Sequence, residues 1–187
     1  MVEVLNPNLV LIGYMGTGKT TIGRLCARSL GFRFVDTDTS VERSAKRRIR
    51  DIFAQSGEAE FRRMERDAVR RAAMDVHAVI ATGGGAVLDA ANVEELRRSG
   101  VIIWLCVEPE EIHRRCRDRS LRPLLADARD PMERIRNMLA ERTPYYEAAA
   151  DAAVNTTGLK HEDSARLVLE TYRRLAAQWP ALRREAR

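Results

Sequence analysis

Apolar positions along this chain fall into two periods. Leu9-Val10-Leu11-Ile12 is a short unbroken apolar run, as a strand buried on both faces requires. Beyond it Ile22, Leu25, Cys26, Ser29 and Leu30 recur at the three-four spacing of an amphipathic helix. Further strands are predicted at Phe32–Val35, Val79–Ala81, Val101–Val107 and Ala152–Val154. Helical patterning fills the intervals: about 39–55 in one or two pieces, 57–74, 89–98, 109–117, 131–148 and 162–177. In the last of these Ala165, Val168, Leu169, Tyr172 and Leu175 line one face. Short strands alternating with helices predict an α/β fold, a parallel sheet covered on both sides.

No internal repeat and no linker rich in Gly, Pro or Ser divides the chain, so residues 1–178 read as one domain. Leu121–Pro131 is its one long irregular stretch. Residues 179–187 read as a basic tail that frays beyond Trp179-Pro180.

Composition narrows the function. A chain of 187 residues with 45% hydrophobic and 32% charged positions builds one real core and leaves little room for long disorder. No apolar run approaches the roughly 20 residues that cross a bilayer, and Met1–Asn8 lacks the layout of a signal peptide. A cytoplasmic protein with no membrane partner is expected. Cys26, Cys106 and Cys116 are odd in number and show no metal-ligand spacing, so buried thiols are expected. The net charge of +5 comes with arginine runs at Arg47-Arg48, Arg62-Arg63 and Arg114-Arg115, which suits an anionic ligand. Aromatic residues, at 5%, give no stacking platform for nucleic acid.

Gly13-Tyr14-Met15-Gly16-Thr17-Gly18-Lys19-Thr20 fits G-x-x-x-x-G-K-[ST], and it follows a predicted strand and opens a predicted helix. Glycines let successive N–H groups converge on phosphate oxygens, and the helix N-terminus adds partial positive charge. In such a P-loop Lys19 sits against the β and γ phosphates and the Thr20 hydroxyl ligates Mg²⁺. Asp36-Thr37-Asp38 ends the second strand. If the strand runs through them, both carboxylates point the same way. One suits contact to magnesium through water, and the other can accept from a substrate hydroxyl; alternatively, one caps the next helix.

Three features lie outside the nucleotide loop. Gly83-Gly84-Gly85 follows the third strand, where a ligand can touch backbone. Arg62 and Glu65, three apart in a predicted helix, can pair and fix the guanidinium. Arg142 lies one heptad after Ile135, near the line of Met138 and Leu139, and either snorkels or points into a cleft. Pro144 closes that run.

With these pieces in order, the chain resembles the shikimate kinase family from about Leu9 to Tyr172. The matching segments are Gly13–Thr20 with Gly23-Arg24, Asp36-Thr37-Asp38, Ile52-Phe53, Gly57-Glu58, Phe61-Arg62-Arg63-Met64-Glu65, Gly83-Gly84-Gly85, Arg122-Pro123-Leu124-Leu125 and Glu141-Arg142-Thr143-Pro144-Tyr145-Tyr146. The resemblance implies a three-layer P-loop fold with a five-stranded parallel sheet in order 2-3-1-4-5. It implies phosphoryl transfer from MgATP to the 3-hydroxyl of shikimate, in aromatic amino-acid biosynthesis, by a monomer.

Carried over residue by residue, Gly16, Thr17, Gly18, Lys19, Thr20 and Thr21 look like phosphate contacts, with Thr20 and Asp36 at the magnesium. Asp38, Arg62, Gly83, Gly84, Gly85 and Arg142 look like shikimate contacts. Arg115 is similar in position to a residue packing on adenine, and Arg122 to a lid arginine reaching the phosphates. Lys19, Asp38 and Arg122 are then the catalytic set, with the substrate-binding segment at about 37–65 and the lid at about 117–131. One departure is Lys46, which stands where many members have glycine. Two rivals share the P-loop. A gluconate or nucleotide kinase should lack the joint Asp-x-Asp, Phe-Arg and Gly-Gly-Gly set, and a nucleotide-dependent switch leaves Arg62 and Arg142 unexplained.

Overall fold

A computed structural model describes residues 6–116 and 130–179. The expected lid around Arg122 and the tail beyond Trp179 lie outside the described residues.

Five strands form one parallel sheet: β1 (Asn8–Ile12), β2 (Arg33–Asp36), β3 (Ala78–Ala81), β4 (Gly100–Cys106) and β5 (Ala152–Asn155), in the order β2-β3-β1-β4-β5. Leu9 pairs with Val79 on one side and Val101 on the other, which puts β1 at the centre. Seven α-helices are found among the described residues: α1 (Lys19–Leu30), α2 (Thr37–Ala45), α3 (Ile49–Ala73), α4 (Ala90–Ser99), α5 (Pro109–Arg115), α6 (Pro131–Ala149) and α7 (His161–Ala176). None is long and apolar enough to cross a membrane.

The period-two geometry of β1 explains the three layers. Leu9 and Leu11 face α1 and α7, packing with Ile22, Cys26, Val168 and Leu169. Val10 and Ile12 face the other side, packing with Val69 of α3, Leu96 of α4 and Tyr146 of α6. All four side chains of that run are fully buried, so truncating Leu9, Leu11 or Ile12 to alanine costs about 2–5 kcal/mol. Burial in this core pushes the Cys26 thiol up to about 12, so it stays protonated.

Three boundaries differ from the sequence expectation. The strand does not run through Asp36-Thr37-Asp38: β2 stops at Asp36, whose carboxylate accepts from the Thr39 N–H at 3.0 Å and caps α2. Asp38 therefore sits in the first helical turn, and strand parity does not align the two carboxylates. The break between helical pieces falls at Lys46–Arg48, while 49–73 continues as one element kinked at Gly57 (φ 79°, ψ 172°). An L side chain rarely adopts that backbone, so the glycine carries the bend. Pro144 does not close α6, which runs on to Ala149. Its start is strongly fixed, by Pro131 and by Asp130 accepting from the N–H groups of Met132 and Glu133.

Candidate active site

The C-terminal edge of the sheet gathers three loops. Gly13–Gly18 leaves β1, Asp36 ends β2, and Thr82–Gly85 leaves β3. Parallel strands direct all three to one side of the molecule.

Gly18 is the N-cap of α1, in the left-handed region at φ 92°. Lys19 folds back from the first turn. Its Nζ donates to the carbonyls of Gly13 at 2.7 Å and Tyr14 at 2.8 Å, so an ammonium is stationed over the loop mouth. The Thr17 hydroxyl donates to the Tyr14 carbonyl at 2.9 Å, so this buried side chain ties the loop together from beneath. The Thr20 hydroxyl donates to Asp36 Oδ2 at 2.8 Å.

Two cavities open on this edge. The first, about 670 Å³, is lined by Gly16, Gly18, Lys19, Thr20 and Thr21 on the loop and by Arg114 and Arg115 of α5. Leu159, Lys160 and His161 face them from the start of α7. Arg115 is steadied by its Nε donating to Glu111 at 2.7 Å, while its NH1 nitrogen is buried without a hydrogen-bond partner among the described residues.

The second cavity, about 760 Å³, is lined by Asp38, Arg62, Glu65, Arg142 and Gly83–Gly85. Phe53 and Phe61, on either side of the Gly57 kink with ring centroids 4.7 Å apart and planes tilted by 35°, form an apolar wall. Both cavities share Met15, Thr20, Asp36, Asp38 and Gly84.

The charged groups of the second cavity are held from several elements. Arg62 donates to Glu65 at 2.7 Å and to Glu58 at 3.0 Å. Glu65 is 1% exposed. Burial raises its carboxyl above the ordinary value, outweighing the opposite pull of Arg62 and Arg142. Arg142, 8% exposed, lies over the Tyr14 ring at 5.8 Å and approaches the Gly84 carbonyl at 3.4 Å. The Tyr146 hydroxyl donates to the same carbonyl at 2.5 Å, one helical turn further along α6.

The glycines after β3 are demanded by close approach. A Cβ on Gly83 would lie 2.6 Å from Asp38 Oδ1 and 2.8 Å from Glu65 Oε1, and one on Gly85 would lie 2.7 Å from an Arg62 nitrogen.

Apart from Arg122, which lies outside the described residues, and Thr17, which sits beneath the loop, every candidate position borders one cavity or both. Four contributors were not singled out from sequence. Phe53 and Tyr146 stood only among matching segments. Met15 stood inside the P-loop motif without a role, and His161 carries no local signal, because it joins the site through tertiary packing.

The residues can hold a hard cation. Thr20 and Asp36 present oxygen donors with a single carboxylate, and no cluster of three or more His, Cys, Asp or Glu is found among the described residues. Mg²⁺ keeps most of its waters and needs no more from the protein.

The sequence pattern of shikimate kinase matches residues 15–173. A shikimate kinase of Symbiobacterium thermophilum is 48% identical over 165 residues, covering 87% of this chain and 94% of that protein. Among solved structures, shikimate kinase from Acinetobacter baumannii in complex with shikimate superposes with a TM-score of 0.85 at 35% identity, covering 88% of this chain and 92% of that one. A gluconokinase from Sinorhizobium meliloti, with a TM-score of 0.58 and 16% identity, shares the fold alone. The match takes in the P-loop from Met15 on, the glycine triplet and both arginine-bearing helices, and the chain belongs to the shikimate kinase family.

Proposed function

We propose that the protein transfers the γ-phosphoryl group of MgATP to the 3-hydroxyl of shikimate, giving shikimate 3-phosphate on the route to aromatic amino acids. The observation that carries this reading is the junction of the two cavities. A donor space on the P-loop and an acceptor space under Arg62 and Arg142 meet at Thr20, Asp36, Asp38 and Gly84.

Loose phosphoryl transfer needs alignment and charge neutralisation more than covalent chemistry. Backbone N–H groups from Gly16 to Thr21, Thr17 included, would receive the phosphates. Lys19 would exchange its two carbonyl partners for a phosphate oxygen. Thr20, and Asp36 through water, would hold Mg²⁺, which when bound offsets the charge building on the transferred group. Arg115 would pack on adenine, and Arg122 would reach the phosphates from a lid at about 117–131.

On the acceptor side shikimate is a small carboxylate with three hydroxyls. Arg62 and Arg142 supply forked donors for the carboxylate. Asp38 would orient the attacking hydroxyl or take its proton, and Gly83–Gly85 let the ring lie against backbone. The three cysteines are all free thiols, which supports a cytoplasmic setting.

The test is ADP release from MgATP, coupled to NADH oxidation, with shikimate, with gluconate and with no acceptor. Release that requires shikimate is expected. Equal release without an acceptor, or with gluconate in its place, overturns the reading.

A further inference from the structure

The acceptor cavity carries more positive charge than one carboxylate needs. Besides Arg62 and Arg142, its lining includes Arg48 and Arg50 at the start of α3. These two differ from the inner pair in every respect that matters. Their side chains are 75% and 60% exposed. Arg48 pairs with Glu42 at 3.2 Å and Arg50 with Asp51 at 3.3 Å. Ion pairs so exposed contribute about 0–1 kcal/mol, so either guanidinium is released at little cost. The Ile49 N–H, the donor that α3 would otherwise offer an anion at this mouth, is already taken by Glu42 at 3.1 Å.

The same lining holds the carboxylates of Asp36, Asp38, Glu42 and Glu65. With all four arginines the formal charges balance. Without Arg48 and Arg50, two arginines would face four carboxylates, and the cavity would repel an anionic acceptor on its way in.

We infer that Arg48 and Arg50 form an outer capture pair, which neutralises the mouth of the acceptor cavity and draws the anionic substrate towards Arg62 and Arg142. The inference rests on the proposed acceptor being a small carboxylate. It assigns the outer pair an effect through space, in contrast to the forked contacts of the inner pair. A through-space effect needs charge and place but no particular geometry. It is also screened by salt, because these side chains are exposed.

The experiment compares the full chain with Arg48→Gln/Arg50→Gln and with Arg48→Lys/Arg50→Lys. kcat/KM for shikimate is measured from about 0.01 M to about 0.15 M salt, over which the screening length falls from about 30 Å to about 8 Å. The glutamine pair should lower kcat/KM about tenfold at low salt and flatten its salt dependence, with kcat changing less than about twofold. The lysine pair should keep both the value and the slope of the parent. A glutamine pair with the parent's salt slope overturns the inference. So does a lysine pair that fails as glutamine does, since that marks a forked contact or a packing role. If the glutamine pair does not fold, Arg50→Gln alone and the lysine pair carry the same comparison. A parent chain without shikimate-dependent ADP release would defeat the proposed function instead, before any variant is compared.

Discussion

The Arg62 guanidinium and the Glu65 carboxylate, three residues apart on α3, pair at 2.7 Å beneath the loop that follows β3. Only one carboxylate oxygen is used. Oε1 is buried without a hydrogen-bond partner among the described residues. The pair joins a nearly dry acid to a base that is 21% exposed in its side chain, so Glu65 acts as the anchor and Arg62 as the arm. Gly83 and Gly85 leave room for both.

Glu65→Gln tests this anchor. Burial lifts the folded-state pKa of Glu65 above the ordinary 4.5, so its stabilising contribution is present below 4.5 and is lost as pH rises through the folded value. Glutamine does not titrate. The stability of the parent relative to Glu65→Gln should therefore fall as pH rises from 4.5, by about 1.4 kcal/mol per unit of displacement. Urea melts of both proteins across pH 4.5 to neutrality read this directly, and a difference that stays flat with pH would sink it. KM for shikimate should rise about tenfold in the variant, because a neutral amide holds Arg62 less firmly.

Asp36 and Asp38 should separate cleanly under substitution. Asp36 accepts from Thr20 at 2.8 Å and from the Thr39 N–H, so Asp36→Asn should raise the magnesium concentration needed for half-maximal rate. The cap on α2 should survive the change, because an asparagine side-chain oxygen accepts from the Thr39 N–H about as well as aspartate does. Asp38 lies against Gly83 where the two cavities meet, so Asp38→Asn should depress turnover with shikimate far more than it lowers ATP affinity. Titrations with Mg²⁺ and with shikimate decide. Matching responses from both variants would contradict the division.

Much of this site was legible in sequence, though not its geometry. Leu9–Ile12 and Val101–Val107 are apolar runs bounded by polar residues, and such runs announce buried strands. Asp36 and Asp38 were legible as residue types, whereas their relative direction was not. Parity two residues apart holds only while a strand lasts, and Asp36 ends this one by capping a helix. The helical patterns at 39–55 and 57–74 left a break beside the Gly57 kink, but not the contact of Phe53 with Phe61 across it, which makes one element of 49–73. Arg142 stood out as a charge on an apolar stripe, yet its companions were hidden. Tyr14 and Gly84 reach it from loops 128 and 58 residues earlier, and no local pattern encodes such contacts.

Lys46 offers a test of the same backbone logic. It caps α2 in the left-handed region, at φ 51°, where glycine is free and lysine is strained. The glycine-like conformation is thus kept without the glycine. Lys46→Gly should stabilise the protein by up to about 1 kcal/mol, with turnover unchanged. Thermal melts beside a shikimate assay check both halves. A destabilised variant would mean that the lysine side chain makes a contact outweighing the relief of strain.

Arg142→Lys separates packing from recognition. Packing alone is well served by lysine, which keeps an apolar stem and a positive charge over the Tyr14 ring. A planar fork is another matter, because the Arg142 guanidinium reaches the Gly84 carbonyl while keeping further donors in the plane for a carboxylate. Lysine offers a point charge without that geometry. Hydrogen bonds to charged groups contribute about 1.5–3 kcal/mol each, so losing one should weaken shikimate binding by about ten- to a hundredfold. ATP binding without shikimate should barely change, because Arg142 borders the acceptor cavity and is absent from the lining of the donor cavity. Calorimetric titration of the variant with each ligand separately reads the two affinities. Unchanged shikimate affinity would leave Arg142 a packing role, and an equal loss for ATP would place it between the two ligands.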